Sequence, residues 1–189
     1  MAIQLKNICK SYGDKQVLQN INLTLHHGEI SYLMGESGIG KTTLVNILAG
    51  IIVPDSGEVI WPDNNRHVSV VFQEDRLLEW ETALTNVLFV TNPANINFAK
   101  QLLTQAGLAD SINKKVAELS GGMKRRVSIC RALIAQSDLL ILDEPFKGLD
   151  TETKLTIMNM VKQHLSKYVL CVTHDASEGK FLGGKLITL

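Results

Sequence analysis

Residues Gly35 to Thr42, which read Gly-Glu-Ser-Gly-Ile-Gly-Lys-Thr, constrain the fold of this chain more than any other segment. They match the spacing of a phosphate-binding loop. A strand-like run, Glu29–Leu33, precedes the loop, and a helix-like run, Lys41–Ala49, follows it. This strand–loop–helix context separates a phosphate loop from an ordinary glycine-rich turn. Glycine permits the positive φ angles at which successive N–H groups point towards an anion. The segment therefore predicts a nucleoside triphosphate site.

Charge balance at this loop assigns roles to two side chains. The helix that follows contributes the equivalent of about half a positive charge, which is far less than a triphosphate requires. We therefore expect Lys41 to reach the β- and γ-phosphates and Thr42 to hold a Mg²⁺ ion. The other residues expected to contact the nucleotide are Gly35, Glu36, Ser37, Gly38, Ile39, Gly40 and Thr43.

Length and composition narrow the class of protein. A chain of 189 residues, 45% of them hydrophobic, can bury the core of one domain. Basic and acidic residues number 19 each, so the sequence lacks the basic excess typical of nucleic-acid binding. The longest apolar stretch, Ile47–Val53, is much shorter than the ~20 residues that span a bilayer, and no secretory signal is visible. The scattered cysteines Cys9, Cys130 and Cys171 predict buried free thiols in a reducing cytosol.

The periodicity of apolar residues predicts an α/β fold with a mainly parallel sheet. Two alternating runs joined by the turn Tyr12–Asp14 predict an N-terminal antiparallel hairpin. The continuous apolar run Leu139–Leu142 is typical of a buried central strand. Residues 74–118 have helical spacing, broken at Asn92-Pro93. Further strands are predicted at Glu58–Trp61, Val68–Phe72, Tyr168–Val172 and Lys185–Leu189, and helices at Thr82–Val90, Ile96–Ala106, Gly121–Gln136 and Glu152–Leu165. We predict one domain over residues 1–189, with a nucleotide-binding core of residues 1–73 and 137–189 and an inserted α-helical lobe of residues 74–136.

Two carboxylates follow the predicted central strand. Ligands bind where such strands end in open α/β sheets, so Asp143 is expected to face the Mg²⁺ held by Thr42. Glu144 is then placed to orient an attacking water or accept its proton. A polar strand cap is the alternative interpretation, and the phosphate loop favours the catalytic one.

The segment Leu119-Ser-Gly-Gly-Met123 opens a predicted helix. Its backbone N–H groups and the Ser120 hydroxyl offer a second place for an anion. Simple capping, with Ser120 at the N-cap, accounts for the same residues. The residues alone leave both interpretations open.

The order of these motifs resembles that of the ATP-binding cassette (ABC) ATPases. The likeness runs from Tyr12 to His174 and includes the phosphate loop, Gln73, Leu119-Ser-Gly-Gly, Leu-Asp-Glu-Pro and Thr173-His174-Asp175. The resemblance implies a head-to-tail dimer with two ATP molecules at its interface. It also implies that Ser120, Gly121 and Gly122 complete the site of the second subunit.

The resemblance implies further roles, position by position. Tyr12 corresponds to the aromatic that stacks on adenine, and Gln73 to the residue that contacts Mg²⁺ and senses nucleotide. Asp150 corresponds to a residue that links the two sites across the dimer. His174 corresponds to the histidine that contacts the γ-phosphate and helps to hold the attacking water. Met123 occupies the position at which the family usually has Gln. We expect the chain to hydrolyse ATP in spite of this difference.

The resemblance also implies partners. We expect separate transmembrane permease subunits, a second copy or a related ABC subunit, a solute-binding protein and no nucleic acid. The sequence around Leu77, Leu78 and Trp80 resembles that of the ATPases of nitrate, sulfonate and taurine importers. This resemblance implies that the chain lies at the cytoplasmic face of a membrane. Two interpretations fit these three apolar side chains: a contact with a permease subunit, or a place in the core of the helical lobe.

Two other classes compete with the transport subunit. A soluble ABC ATPase acting on nucleic acid or ribosomes usually carries tandem cassettes, a coiled-coil insertion or basic extensions, and the sequence shows none of them. An ordinary phosphate-loop kinase or GTPase is disfavoured by Leu119-Ser-Gly-Gly and His174, and no Asn-Lys-x-Asp motif for guanine is present.

Overall fold

The computed structural model describes residues 1–36, 38–63, 66–91 and 95–189. Ser37 and the predicted break at Asn92-Pro93 lie outside the described residues. The chain forms two compact units. We call residues 1–70, 137–143 and 166–189 the core unit, and residues 71–136 and 144–165 the helical unit. The helical unit takes in residues 144–165, whereas the sequence predicts a core that contains them.

Strands and helices alternate along most of the chain, as the apolar periodicity predicts. Their bounds are β1 Ala2–Tyr12, β2 Lys15–His26, β3 Ile30–Met34, α1 Lys41–Leu48, β4 Ser56–Ile60, β5 Val68–Val71, α2 Ala83–Leu88, α3 Ile96–Gln105, α4 Gly121–Ile134, β6 Leu139–Asp143, α5 Thr151–Gln163, β7 Tyr168–Val172, α6 Ala176–Leu182 and β8 Lys185–Thr188. Two short 3-10 turns lie at Ala109–Ser111 and Val116–Glu118.

The first sheet is antiparallel and has the strand order β2-β1-β4. Leu5 of β1 lies opposite Leu23 of β2 on one side and Val59 of β4 on the other. The hairpin turns at Gly13, whose φ of 58° suits glycine. The predicted N-terminal hairpin is therefore confirmed, and a third strand extends it.

The second sheet has the order β5-β6-β7-β3-β8, and its central strands are parallel. Asp143 of β6 pairs with Val172 of β7, and Val172 pairs with Leu33 of β3. The carboxyl ends of three strands therefore meet at one edge of the sheet. β6 and β7 are buried along their whole length, which explains their continuous apolar sequences.

Apolar packing holds this sheet against α1. Leu44 and Val45 of α1 are fully buried and belong to the same cluster as Ile141 and Leu170 of the central strands. Burial of each such side chain stabilises the fold by roughly 1.5–3 kcal/mol. The residues on either side of the phosphate loop therefore belong to a packed strand and a packed helix.

The helical unit has its own core and a buried amide that fixes a loop. Leu102 and Leu103 of α3 and Val127 and Ile129 of α4 are fully buried. The side chain of Asn86 on α2 is fully buried as well. It accepts a hydrogen bond from the backbone N–H of Leu78 at 2.8 Å and donates to the carbonyls of Leu78 and Thr82, each at 3.0 Å. The Asn86 amide therefore satisfies the backbone N–H and carbonyl of Leu78, which lies outside any strand or helix.

The cysteines separate into two kinds. Cys130 and Cys171 are buried, as predicted, and burial raises the pKa of the Cys130 thiol to about 12. Burial also raises the pKa of Cys171. The expected burial of Cys9 is wrong, since this thiol is half-buried where the β1–β2 register shifts. Hydrogen bonds from the Ser56 side chain and the Asn20 N–H lower its pKa.

Candidate functional site

The phosphate loop presents the uncapped N-terminus of α1. Gly40 occupies the N-cap with a φ of 108°, and among the described residues no side chain caps the helix. The first turn contains no acidic residue. A Cβ at Gly40 would stand 2.7 Å from the Leu18 side chain, so the turn requires glycine on grounds of space as well as φ. Since the first N–H groups of a helix need acceptors, this geometry fits an anion such as phosphate.

The Lys41 side chain folds back across the loop. Its Nζ donates hydrogen bonds to the carbonyl oxygens of Gly35 at 2.7 Å and Glu36 at 2.8 Å. These bonds hold the ammonium group on the loop and brace the backbone that precedes the helix. An ammonium in this position can exchange carbonyl acceptors for phosphate oxygens, which bind it more strongly because they are charged.

Oxygen ligands for Mg²⁺ are available beside the loop. Asp143 ends β6 and is 4% exposed, and Thr42 is an exposed residue in the first turn of α1. Mg²⁺ prefers one or two protein oxygen ligands and takes its others from phosphate and water. The described residues contain no group of three or more His, Cys, Asp or Glu side chains that could hold a metal by themselves. A hydroxyl and a single carboxylate fit an ion bound together with nucleotide.

A buried carboxylate fixes the loop that carries His174. Thr173 follows β7 and is 1% exposed, and its N–H donates to the carbonyl of Leu33 at 3.1 Å. Its hydroxyl donates to Glu178 Oε2 and accepts from the N–H of Asp175 at 3.0 Å. The exposed side chain of His174 therefore projects from a backbone that is tied down on both sides. Glu178 was not predicted, although an acidic residue four positions after His174 was a usable signal.

Tyr12 ends β1 with a ring that is 52% exposed, as stacking on a base requires. Asp55 supports this strand end by accepting hydrogen bonds from the Lys10 Nζ at 2.6 Å and the Ser11 N–H at 2.7 Å. The hydrogen bond from Lys10 is the main cause that holds the pKa of Asp55 below its ordinary value. The Lys10 Nζ lies 5.9 Å from the centre of the Tyr12 ring. Lys10 and Asp55 were not predicted.

In the helical unit, Ser120 caps α4. Its hydroxyl accepts a hydrogen bond from the Met123 N–H at 3.3 Å, while the residue itself stays exposed. A Cβ at Gly122 would stand 3.6 Å from the Leu149 side chain, which is ordinary contact. The capping interpretation is therefore confirmed. The additional role of Ser120, Gly121 and Gly122 towards a partner's nucleotide stays a prediction.

Three more predicted residues lie in the helical unit. Glu144 has a φ of 47°, a left-handed conformation that costs a non-glycine residue of the order of 1–3 kcal/mol and is common at functional sites. The Lys147 ammonium lies 3.1 Å from Glu144 Oε2. Asp150 caps α5 by accepting from the Thr153 N–H at 3.0 Å, and this bond is the main cause that lowers the pKa of Asp150. Gln73 is exposed in the irregular segment after β5.

The core unit therefore brings several predicted residues to one edge of its parallel sheet. The phosphate loop begins after β3, Asp143 ends β6, and His174 follows β7. Strand register places these three points side by side. Tyr12 belongs to the antiparallel sheet of the same unit, and Gln73, Ser120, Glu144 and Asp150 belong to the helical unit.

Comparison with known proteins agrees with this geometry. A family model described as "ABC transporter" matches residues 18–147. The chain is 41% identical to the aliphatic sulfonates import ATP-binding protein SsuB of Corynebacterium glutamicum, covering 100% of this chain and 80% of that protein. It is 38% identical to the bicarbonate transport ATP-binding protein CmpD of Synechocystis sp., covering 99% and 73%.

A solved structure shows the same architecture. The dimeric bacterial ABC transporter cassette MJ0796 superposes with a TM-score of 0.87 and 32% identity, covering 99% of this chain and 94% of that one. A second structure of that cassette, in a post-hydrolysis state bound to ADP and Pi, has the same TM-score.

The chain belongs to the ABC transporter family. It is an ATP-binding cassette, and therefore an ATPase, as the order of motifs predicts. The predicted α/β fold with its N-terminal antiparallel sheet and helical insertion is confirmed. The described residues contain no helix long and apolar enough to cross a membrane.

Proposed function

We propose that this chain is the energy-coupling subunit of a membrane importer, and that it converts ATP hydrolysis into closure and reopening of a dimer. One observation carries the proposal. The uncapped N-terminus of α1, with Lys41 across its loop, lies at the same sheet edge as Asp143 and the braced Thr173–Asp175 loop.

Each side chain then has a defined task. The loop N–H groups and Lys41 hold the phosphates, and Tyr12 stacks on adenine. Thr42, Asp143 and Gln73 would hold Mg²⁺, and the ion would offset charge on the phosphate oxygens. Glu144 orients a water molecule, and the water oxygen forms a bond to the γ-phosphorus as the bond to ADP breaks. The water proton passes to the Glu144 carboxylate or to phosphate, and His174 contacts the γ-phosphate.

The dimer supplies the remaining contacts. Ser120, Gly121, Gly122 and Asp150 of one copy are proposed to complete the site of the other. The dimeric form of the similar cassette MJ0796 supports this arrangement. The partner is a second copy or a related ABC subunit. Met123 cannot make the amide hydrogen bonds of Gln, so the phosphate contact depends on the hydroxyl of Ser120 and on backbone N–H groups.

We propose that permease subunits and a solute-binding protein complete the system, and that this chain binds the permease at the cytoplasmic face of the membrane. The sulfonate and bicarbonate relatives are named for small solutes with anionic oxygen groups, which supports a solute of that class. Trp80 is 69% exposed and Leu77 and Leu78 are half-buried. This exposure favours a partner contact for Trp80 over a place in the core of the lobe.

The dimer model can be tested by size-exclusion chromatography with ATP and Mg²⁺. The Glu144→Gln variant is expected to bind ATP, hydrolyse almost none and elute as a dimer. Adding Ser120→Arg to this variant should return it to a monomer that still binds ATP, because the bulky cation blocks the partner's site. Turnover at the native rate in Glu144→Gln would reject the role of Glu144. A dimer that persists in the double variant would reject the shared site.

Capture from detergent-solubilised membranes distinguishes the classes of partner. A polytopic membrane protein that co-purifies with Glu144→Gln supports the transport subunit. Ribosomes or nucleic acid in its place would support the soluble ABC ATPase and reject an importer.

A further inference from the structure

Two arginines of α4 bind the backbone of the segment that carries Gln73. We call residues 72–76 the Gln73 segment; it follows β5 and has no regular structure. The Arg125 guanidinium donates to the carbonyl of Phe72 at 2.6 Å and also to the carbonyl of Gln73. Arg131 donates to the carbonyls of Asp75 at 3.0 Å and Arg76 at 2.9 Å. Four carbonyl groups of this short segment therefore have arginine partners.

Burial makes the Arg125 contact specific for a guanidinium. Arg125 is only 7% exposed, and its Nε lies 3.2 Å from Asp75 Oδ1. Burial raises the pKa of Asp75, and the charge of Arg125 offsets part of that rise. A buried cation requires a full set of acceptors. The planar fork of arginine reaches two carbonyls and a carboxylate at once, which the single ammonium of lysine cannot do.

The same helix carries Ser120 at its first turn. α4 runs without a break from Gly121 to Ile134, and Arg125 lies little more than one turn from the Ser120 cap. Asn86 fixes the chain again just beyond the Gln73 segment, through both backbone groups of Leu78. The backbone at Gln73 is therefore bound to the helix that begins with Ser-Gly-Gly.

We propose that Arg125 is a positioning residue that fixes Gln73 to the N-terminal turn of α4, so that a copy's own nucleotide contact and its contact to the partner's nucleotide move together. This inference rests on the proposed function, since it takes Gln73 and Ser120 to act at the two sites of a dimer. Occupancy of one site then biases the other through α4, and ATP turnover becomes cooperative.

Arg126 provides a matched control on the same helix. Its guanidinium also donates to backbone carbonyls of the helical unit, those of Ala106 at 2.8 Å and Gly107 at 3.3 Å, and its Nε donates to the Gly122 carbonyl at 3.2 Å. None of these three bonds involves the Gln73 segment. Arg126→Lys therefore removes a fork of the same kind without touching Gln73.

The test is a double-mutant cycle on the full chain, with steady-state ATPase kinetics in Mg²⁺ and thermal unfolding of each variant. Arg125→Lys should lower kcat about tenfold and reduce the Hill coefficient for ATP towards one. Equilibrium binding of ATP to the isolated chain should stay unchanged, because the phosphate loop is intact. Arg126→Lys should lower the unfolding temperature to a similar extent, and its effect on kcat should be the same with and without Gln73, because its bonds do not involve the Gln73 segment. In the Gln73→Ala background, Arg125→Lys should have little further effect on kcat, since Arg125 acts through Gln73.

Three results would overturn the inference. The first is an Arg125→Lys effect on kcat of equal size with and without Gln73, and the second is an Arg126→Lys effect on kcat that depends on Gln73 as strongly as that of Arg125→Lys. The third is an unchanged kcat in Gln73→Ala, which removes the residue through which Arg125 acts. The measurements on Glu144→Gln and Ser120→Arg test the proposed function independently of these three results. If Arg125→Lys does not fold, Arg131→Lys, which releases Asp75 and Arg76, takes its place in the same cycle.

Discussion

The hydroxyl of Thr173 donates a hydrogen bond of 2.5 Å to the carboxylate of Glu178, and both residues are buried. The same hydroxyl oxygen accepts the N–H of Asp175. The Glu178 carboxylate on α6 therefore holds the backbone on both sides of His174 in place through Thr173. This role requires no contact between Glu178 and the imidazole of His174.

Removal of this carboxylate should therefore impair turnover. Glu178→Ala leaves the buried Thr173 hydroxyl without its acceptor, which costs about 1–3 kcal/mol of folding free energy. We expect kcat to fall because His174 is no longer held, while ATP affinity changes little. Chemical denaturation and steady-state kinetics measure the two effects. Glu178→Gln keeps an acceptor oxygen and should recover most of the kcat; a Gln variant as slow as the Ala variant would argue against this role.

Lys41 should contribute to ATP binding and to the order of the free loop. Lys41→Met removes a charge-assisted contact worth about 1.5–3 kcal/mol, so we expect ATP to bind roughly 10–150-fold more weakly. The variant also loses the bonds to Gly35 and Glu36, so the loop amides should exchange hydrogen faster without nucleotide. Titration and hydrogen exchange measure these changes. Lys100→Met, at an exposed position of α3, is the control; equal weakening there would contradict the assignment.

The ring of Tyr12 should account for much of the affinity for the base. Stacking of a base on an aromatic side chain is worth about 1–3 kcal/mol, so Tyr12→Ala should raise the KM for ATP roughly 5–150-fold. Tyr12→Phe keeps the ring and should behave as the native chain does. The comparison requires only ATPase kinetics. An unchanged KM in the Ala variant would show that the ring does not contact the nucleotide.

Asp138 should affect stability in a pH-dependent manner and leave catalysis alone. It precedes β6, and the hydrogen bond from the Lys167 Nζ at 2.7 Å is the main cause that lowers its pKa. Because the folded pKa lies below the ordinary value of 3.8, the stabilisation is present above that value and is lost as the pH falls through the folded pKa. Asp138→Asn should lower the unfolding temperature by about 2–4 °C at pH 7.

Thermal melts over a pH series check this prediction. The native chain and Asp138→Asn should converge in acid, and their kcat values at pH 7 should agree, since Asp138 lies at the amino ends of the strands. A difference that grows as the pH falls would have the wrong sign.

Local sequence was sufficient for much of the fold and part of the site. The phosphate loop is predictable because its glycines, its lysine and its flanking strand and helix are contiguous. Leu139–Leu142 is predictable because a strand buried on both faces must be apolar throughout. Asp143 and Glu144 follow directly, since they come where that strand ends. Observed element ends differ from the predicted ones by a residue or more, as at β3, which covers Ile30–Met34 in place of Glu29–Leu33.

The supporting residues were not predictable for a physical reason. Asp55 binds Lys10 and Ser11 across more than forty residues of chain, and Arg125 binds Phe72 across more than fifty. No periodicity or spacing marks such pairs, since only the folded chain brings them together. The predicted burial of Cys9 was wrong for a related reason. Its apolar neighbours indicate burial, but the irregular pairing of β1 with β2 turns the thiol partly outwards.

The contrast among the thiols makes the native chain a convenient spectroscopic reagent. A maleimide dye reacts with thiolate, so Cys9 should couple rapidly while the interior thiols of Cys130 and Cys171 stay unmodified in the native state. Cys9 lies three positions before Tyr12 on the same strand. A fluorophore attached there could report adenine docking in real time, without any engineered attachment point.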